Sequence, residues 1–399
     1  MSVLAIVNAA NGELLVRDGV IVARNVGSPP ADAQVIDARG ATIAPGIVDL
    51  GVFAVDPDAC HFGGITRIAL MPDQSPPLDD PGLIQRAAAM GKPDELWVHP
   101  IGAATRALGG SDLAEMAMLK SAGAVAVATG RRWIADTGVM ARVLAYAAAR
   151  DLTVIAHAED GGLTAGAVAT EGETATRLGL TAAPALAEAL AVARDLALAE
   201  AVGARIHFRQ LTTAAAFDLV RAAKARGVRV TCGITPAHLY LSDIAMSDFR
   251  TFAHLSPPLR DESDRQAARA AIADGTIDVL CSGHDPRGPE DKRLPFADSA
   301  PGAVGQQTLL ALGLGLVRDG LIDGDRLWAL LAGNPADILG LNAGTLDVGK
   351  PADIILIDLD APWQVLSDTL PGRAGNTPFD GLPVQGRVRH VIRGGRLLA

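Results

Sequence analysis

Metal binding and acid–base catalysis both need His, Cys, Asp or Glu side chains that come together at one place. The nitrogen and sulfur donors considered for such a site are Cys60, His61, His157, His207, His238 and His284. The adjacent pair Cys60-His61 is weak evidence for a metal site, because two donors without a third nearby leave the coordination shell incomplete. His157 and His207 are better interpreted as buried, hydrogen-bonded strand residues. His284 and Asp285 allow a small acid–base pair, although packing is the favoured role for His284.

The composition is that of a globular protein. With 399 residues and 49% hydrophobic content, the chain can form one large domain or two smaller ones. The net charge of -10 argues against nucleic acid and anionic membranes as partners, because both select basic surfaces. There is no signal-peptide pattern and no apolar run of about 18 residues, so we expect a cytoplasmic location and no membrane span. Cys60, Cys232 and Cys281 are far apart, which predicts buried reduced thiols.

Two kinds of pattern divide the chain. Residues 1–45 and 343–399 alternate short apolar runs with turn signals such as Asn11-Gly12, which predicts one small β domain built from both ends. Residues 46–342 alternate short strands with Ala-rich helices, which predicts a parallel α/β architecture. A (β/α)8 TIM barrel is its natural closed form, although periodicity alone does not separate a barrel from a doubly wound sheet. The predicted strands include 153–156, 205–208, 228–231, 277–280, 344–346, 353–357 and 388–395, and the predicted helices include 185–202 and 213–226.

The segment Ala44–Phe53 resembles the first barrel strand of the cyclic amidohydrolases, and of the dihydroorotases above all. Further segments resemble signatures of that family in the same order: 173–180, 235–239, 256–260, 334–336, 344–346 and 375–386. The resemblance covers nearly the whole chain and implies an amidohydrolase-like TIM barrel with a small β-sandwich domain. The connection at residues 58–63 is shorter than in the family, which predicts a shortened first βα unit and an open, apolar barrel wall there.

The resemblance also indicates where zinc ligands belong. The family's paired histidines of the first strand, its fourth histidine and its catalytic aspartate fall on residues that cannot bind a metal: Gly51, Phe53, Gln210 and Gly283. Its bridging carboxylate or carboxylated lysine falls at residues 128–130, where neither is present, and His157 alone is retained. A catalytic zinc typically has three protein ligands. The resemblance therefore implies a chain that holds no zinc and has lost the family's hydrolytic residues.

Substrate-binding positions of the family differ as well. Its carboxylate-binding Arg and Asn fall on Val55 and Asp73, and another Asn falls on Ser256. The acid repels an anionic substrate, and the apolar group cannot attract it as an arginine would. The remaining vestigial pocket comprises His157, Asp73, Ser256 and His284. The run Arg131–Trp133 is open to two interpretations, an anion or partner contact and a solvated loop.

The leading expectation is a catalytically inactive dihydroorotase-like protein, that is, a pseudoenzyme without a cofactor. The noncatalytic dihydroorotases that it resembles are structural partners of aspartate transcarbamoylase in de novo pyrimidine biosynthesis, so the resemblance implies that role. The family's habit also favours a homodimer. Two alternatives stay open: a metal-dependent cyclic amidohydrolase with a site rebuilt from some of the six donors, and a small-molecule sensor that uses the old cavity. Zinc analysis combined with a hydrolase assay separates these expectations.

Overall fold

The structure is a computed structural model in which residues 2–91 and 95–398 are described. The strands are β1 Val3–Val7, β2 Leu14–Arg17, β3 Val20–Arg24, β4 Gln34–Asp37, β5 Thr42–Pro45, β6 Ile47–Val52, β7 Ile65–Leu70, β8 Trp97–Ala103, β9 Ala126–Ala128, β10 Thr153–Ala156, β11 Ala169–Thr170, β12 Ala182–Ala183, β13 Arg205–Phe208, β14 Val230–Ile234, β15 Val279–Leu280, β16 Ile354–Gln364, β17 Pro383–Arg393 and β18 Arg396–Leu397.

The α-helices are α1 Pro57–Gly63, α2 Pro81–Ala88, α3 Met116–Ser121, α4 Thr137–Ala149, α5 Gly161–Thr164, α6 Glu173–Leu178, α7 Leu186–Val202, α8 Ala214–Ala225, α9 Pro236–Tyr240, α10 Glu262–Ala273, α11 Pro289–Lys292, α12 Gln306–Arg318, α13 Gly324–Trp328 and α14 Asn334–Ile338. Within residues 2–91 and 95–398, none of these helices has both the length and the apolar content that crossing a membrane requires.

Eight parallel strands of the described chain form a nearly closed barrel, in the order β6-β7-β8-β9-β10-β13-β14-β15. The first and last strands of this order, β6 and β15, are joined by hydrogen bonds between residues within or just after them. The backbone N–H of Ser282 donates to the buried Asp49 carboxylate at 2.9 Å, and the N–H of Phe53 donates to the carbonyl of His284 at 2.9 Å. The expected TIM-like α/β fold is thus confirmed.

Residues from both ends of the chain share one sheet and one core. Strand β5 pairs antiparallel with β16, with Pro45 opposite Ile354, and β16 continues to β17 and β18. A second sheet has the order β3-β2-β1-β4. Leu4 and Ile6 of β1 pack in the same apolar cluster as Ile354 and Leu356 of β16. The division into a barrel and a composite β domain with these boundaries stays a prediction.

The first βα unit is short, as expected, but its helix is present. Asp56 accepts a hydrogen bond from the Ala59 N–H at 3.4 Å and caps the start of α1, and Gly64 ends the helix with a left-handed φ of 76°. The seven-residue α1 packs against α12 and β17, and Phe62 contacts Trp363 edge to face at 5.3 Å between ring centroids. The expectation of an open wall is therefore wrong, because the β16–β17 hairpin covers this side.

Several predicted strands differ from the structure. The strands predicted at 228–231, 353–357 and 388–395 have shifted bounds, as β14 Val230–Ile234, β16 Ile354–Gln364 and β17 Pro383–Arg393, and two others are largely absent. Residues 277–280 contain only the two-residue β15, because the N–H of Ile277 bonds to the carbonyl of Ala271 in the turn after α10. Residues 344–346 form no strand, since Gly344 takes a positive φ of 86° close to the carbonyl of Ala332.

Candidate functional site

A cavity opens at the carboxyl ends of the barrel strands, where enzymes with this architecture place their active sites. The space between its walls, counted together with open solvent at its mouth, is about 570 Å³. Its walls include residues within three positions after the ends of four strands: Phe53 after β6, Arg209 and Gln210 after β13, Thr235 after β14, and Gly283 after β15. Because parallel strands bring their ends together, residues far apart in sequence meet here.

The structure brings four of the eight predicted site positions to the lining of this cavity, whereas His157, Asp73 and His284 of the predicted vestigial pocket do not line it. Phe53, Gln210, Gly283 and Ser256 all line it. Gly51 lies just beneath, and a Cβ atom at this residue would be 3.2 Å from Cγ and Cδ of Arg209. Their assignment to lost ligand positions stays a prediction, and the structure shows only that these residues lie close together.

Zinc does not fit the residues that surround the cavity. Gly51 and Phe53 offer no lone pair to a metal, and the neighbouring Arg209 carries a positive charge that repels a cation. The retained His157 is 7% exposed, and its Nε2 lies 3.3 Å from Oε2 of Glu159. Among residues 2–91 and 95–398, no three His, Cys, Asp or Glu side chains are grouped so that they could hold a metal ion. We therefore derive no chemistry through zinc.

Two arginines supply most of the charge in the cavity. Arg131 and Arg209 both lie over the Phe53 ring, with Cζ atoms 3.6 Å and 5.1 Å from its centroid. Arg209 is only 3% exposed, and burial lowers the pKa of its guanidinium. The sequence interpretation missed Arg209, although an arginine between the apolar residues Phe208 and Leu211 at a strand end was a detectable signal.

Asp285 and Asp73 hold this arrangement in place. One oxygen of Asp285 accepts hydrogen bonds from Arg131 at 2.6 Å and from Arg287 at 2.8 Å. Asp73 accepts from the backbone N–H of Arg131 at 2.9 Å. Asp73 therefore fixes the loop that carries Arg131.

His238 is a neutral histidine with both ring nitrogens engaged. Its Nε2 lies 3.1 Å from the carbonyl of Pro257, which requires a proton on this nitrogen. Its Nδ1 then accepts from Gln210 at 3.0 Å and from Thr235 at 2.9 Å. Burial lowers the pKa of His238 to about 4. Gln210 is thereby fixed by a histidine at a position where the resemblance expects a metal ligand.

His284 does not pair with Asp285. Its Nε2 lies 3.6 Å from Asp56, while Asp285 is engaged by arginines. The hydroxyl of Ser282 donates to Asp49 at 2.5 Å and accepts from the N–H of His284. The suggested His284–Asp285 acid–base pair is therefore wrong, because long-range contacts take both residues. The favoured packing role agrees with the complete burial of His284.

The side chains of the remaining candidate donors have different surroundings, including those of the adjacent Cys60 and His61. Nε2 of His61 contacts the carbonyl of Glu95 at 3.1 Å, while Cys60 is buried. Burial raises the pKa of the Cys60 thiol well above its usual value. His207 contacts the Thr231 hydroxyl at 2.9 Å, and burial lowers its pKa to about 3. The expected burial of Cys60, Cys232 and Cys281 as free thiols is confirmed.

A buried ionic network fixes the loop after β13. Glu188 of α7 is fully buried and accepts from the N–H and hydroxyl groups of Thr212 and Thr213 at 2.6 to 3.1 Å. Arg260 lies 3.7 Å from Glu188 and donates to Glu159 at 3.0 Å. Since the loop begins at Arg209, this network helps to hold that guanidinium at the cavity.

Comparison with known proteins agrees with this architecture. The sequence profile of the amidohydrolase family matches residues 110–398. A protein named dihydroorotase from Geobacter sp. (strain M21) is 38% identical over 98% of this chain and 95% of its own length. A protein named dihydroorotase-like protein from Pseudomonas aeruginosa is 38% identical over 97% of this chain and 94% of its own length. The L-hydantoinase (dihydropyrimidinase) of Arthrobacter aurescens superposes with a TM-score of 0.87 at 23% identity, covering 100% of this chain and 96% of that one.

These comparisons correct one expectation and confirm another. The expectation that the chain is a pseudoenzyme is wrong, because relatives 37–38% identical over nearly the whole chain are named dihydroorotase, an enzyme. That expectation rests on replaced zinc donors and replaced substrate-binding residues, and it leaves out the buried Arg209 at the cavity. The resemblance to cyclic amidohydrolases is confirmed. The chain belongs to the amidohydrolase family, and dihydroorotases and dihydroorotase-like proteins are among its relatives.

Proposed function

We propose that this chain is a dihydroorotase-type cyclic amidohydrolase, which binds a small cyclic amide in the cavity at the barrel mouth and opens or closes its ring. The observation that carries the proposal is the position of this cavity at the carboxyl ends of the strands. Relatives named dihydroorotase support the reaction class.

The polar walls of the cavity favour a ligand with acceptor oxygens. Gln210, Thr235 and Ser282 use their side chains in bonds within the protein. The guanidinium groups of Arg131 and Arg209 are the charged donors that line the cavity. Cyclic amides and the N-carbamoyl amino acids formed by opening cyclic ureides present carbonyl or carboxylate oxygens to such donors. Since the surrounding residues do not fit zinc, the proposed activity is independent of that metal.

The test is a ring-opening assay with dihydroorotate, run in both directions on the purified full chain. We expect turnover above the buffer rate, and we expect Arg131→Ala to lower it by about tenfold or more because a charged hydrogen bond is lost. Arg132→Ala is the matched control, because Arg132 is an exposed neighbour outside the cavity lining. Absence of turnover in both directions, with the protein folded, contradicts the proposal.

A second proposal is assembly with aspartate transcarbamoylase in pyrimidine biosynthesis. Its specific support is an exposed apolar strip on α7, where Leu186 is 58% and Leu190 is 46% exposed one helical turn apart. The contacting helix α5 adds Leu163, which is also exposed. Exposed apolar surface of this kind is typical of protein interfaces.

Sizing of the chain with the transcarbamoylase of the same organism tests the assembly. We expect co-elution at micromolar concentration that Leu186→Glu abolishes. Val348→Glu is the control, since Val348 is equally exposed but lies in the loop before β16. Separate elution of the two proteins contradicts the assembly, and self-association lost in Leu186→Glu assigns the strip to a homodimer.

A further inference from the structure

The guanidinium groups of Arg131 and Arg209 form a pair on one aromatic ring at the bottom of the cavity. Their Cζ atoms lie 3.6 Å and 5.1 Å from the centroid of Phe53, and both residues line the cavity. Arg131 is 35% exposed at its side chain, whereas Arg209 is 3% exposed. A ligand entering from solvent therefore meets Arg131 first and Arg209 behind it.

Arg209 is incompletely bonded for a buried cation. Its Nη1 donates to Gln210 at 3.3 Å, and its buried Nε has no hydrogen-bond partner among residues 2–91 and 95–398. A buried charge without a partner is costly, so a buried guanidinium is normally paired with an anion. Burial lowers the pKa of this guanidinium, in line with the lack of a close carboxylate. The open donor points to a ligand with acceptor oxygens.

The charges around the pair leave an excess of one positive charge. Asp285 is shared by Arg131 and Arg287 at 2.6 Å and 2.8 Å. Asp73 accepts from the backbone of Arg131 and acts on Arg209 only through its charge. Three guanidinium groups thus face two carboxylates, and a single additional carboxylate would balance them.

The backbone around the pair is shaped to admit it. Gly51 takes a φ of 92°, and a Cβ atom there would be 3.2 Å from both Cγ and Cδ of Arg209. Any longer side chain at this residue would occupy the space of the Arg209 stem. Gly51 is thus the residue that lets a buried arginine reach the cavity.

We propose that Arg131 and Arg209 bind the carboxylate of the ligand, and that the ligand is a small monoanionic ring acid. The carboxylate site rests on the geometry above, and the identity of the ring as a cyclic amide rests on the proposed function. Planar guanidinium groups match the two oxygens of a carboxylate, which gives both orientation and charge selection. The ring would then extend from the pair toward the outer walls, which include Ser256 and Phe379.

Calorimetric titration with two ring compounds tests the carboxylate site. The probes are dihydroorotate and dihydrouracil, which have the same ring and differ by the carboxylate. We expect dihydroorotate to bind the full chain about tenfold or more tightly than dihydrouracil. Arg131→Ala should remove most of that preference, Arg209→Gln should do the same, and Arg132→Ala should leave it intact. Thermal melting of each variant confirms that it is folded.

Equal affinity for the two rings overturns the carboxylate site and leaves the proposed function standing. An unchanged preference in folded Arg131→Ala overturns it as well. If neither ring binds, the ring class fails, and succinate replaces the rings as probe. Succinate binding that Arg131→Ala abolishes then upholds the carboxylate site alone, and its absence overturns the site.

Discussion

Glu188 is the buried side chain on which the loop after β13 depends. Its carboxylate accepts four donor groups from Thr212 and Thr213 at 2.6 to 3.1 Å and lies 3.7 Å from Arg260. Glu188→Ala leaves those donors without their acceptor and leaves Arg260 with one carboxylate fewer. The substitution should destabilise the fold and loosen the loop that begins at Arg209.

The expected loss can be worked from these contacts. Removing one partner from a buried charged network costs about 3–5 kcal/mol. Burial raises the pKa of Glu188 against the opposing effect of Arg260, so desolvation offsets part of the benefit and the lower end of that range applies. With an unfolding entropy of ~2.1 cal/mol/K per residue over 399 residues, a loss of about 3 kcal/mol should lower the melting temperature by about 4 °C.

Scanning calorimetry near neutral pH is the assay. Glu200→Ala is the matched control on the same helix, because Glu200 pairs with Arg226 at 2.9 Å in solvent and exposed ion pairs contribute little. The interpretation is refuted if Glu188→Ala melts within about one degree of the parent chain, or together with Glu200→Ala.

Three further predictions address the cavity and its surroundings. Gly51→Ala should weaken dihydroorotate binding, because its Cβ would lie 3.2 Å from the Arg209 stem. Gly40→Ala is the control, since Gly40 has a similar φ of 78° and open space around it, and it should leave binding unchanged. Equal calorimetric affinities of the two variants for dihydroorotate would contradict this prediction. Burial lowers the pKa of His207 from 6.5 to about 3, so the unfolded chain binds a proton that the folded chain excludes, and stability should fall as pH drops through that window. His207→Gln should flatten that part of the melting profile, and an unchanged slope would count against it. Prolonged treatment with a chelator should leave dihydroorotate binding and turnover unaltered, and a loss restored by added zinc would show that zinc participates.

Much of the barrel could be predicted from local patterns. Residues 153–156 and 205–208 are strands with the predicted bounds, because short β-prone runs end where the next loop begins. Helix α7 begins within one residue of its predicted start and ends at Val202, before Gly203 with a left-handed φ of 63°. The packing of strands β16 and β17 against α1 could not be predicted from local patterns, because these strands lie about 300 residues further along the chain.

The cavity was less accessible to sequence reasoning. Comparison of ligand positions identified Gly51 and Gln210 as replaced residues, but only the fold shows that Arg209 lies in the space above Gly51. Adjacent residues such as His284 and Asp285 suggested a pair, whereas tertiary contacts join His284 to Asp56. The closure of the barrel and the course of the loops determine which charged side chains come into contact. Such long-range contacts produce no local pattern in the sequence.

A crystal structure of the full chain grown with dihydroorotate tests the central claim most directly. The account predicts the ring in the cavity at the carboxyl ends of β6, β13 and β15, with its carboxylate in hydrogen-bond distance of Arg131 and Arg209 and no metal ion between them. A carboxylate directed away from both arginines, or a ring bound by a metal ion at the barrel mouth, would contradict it.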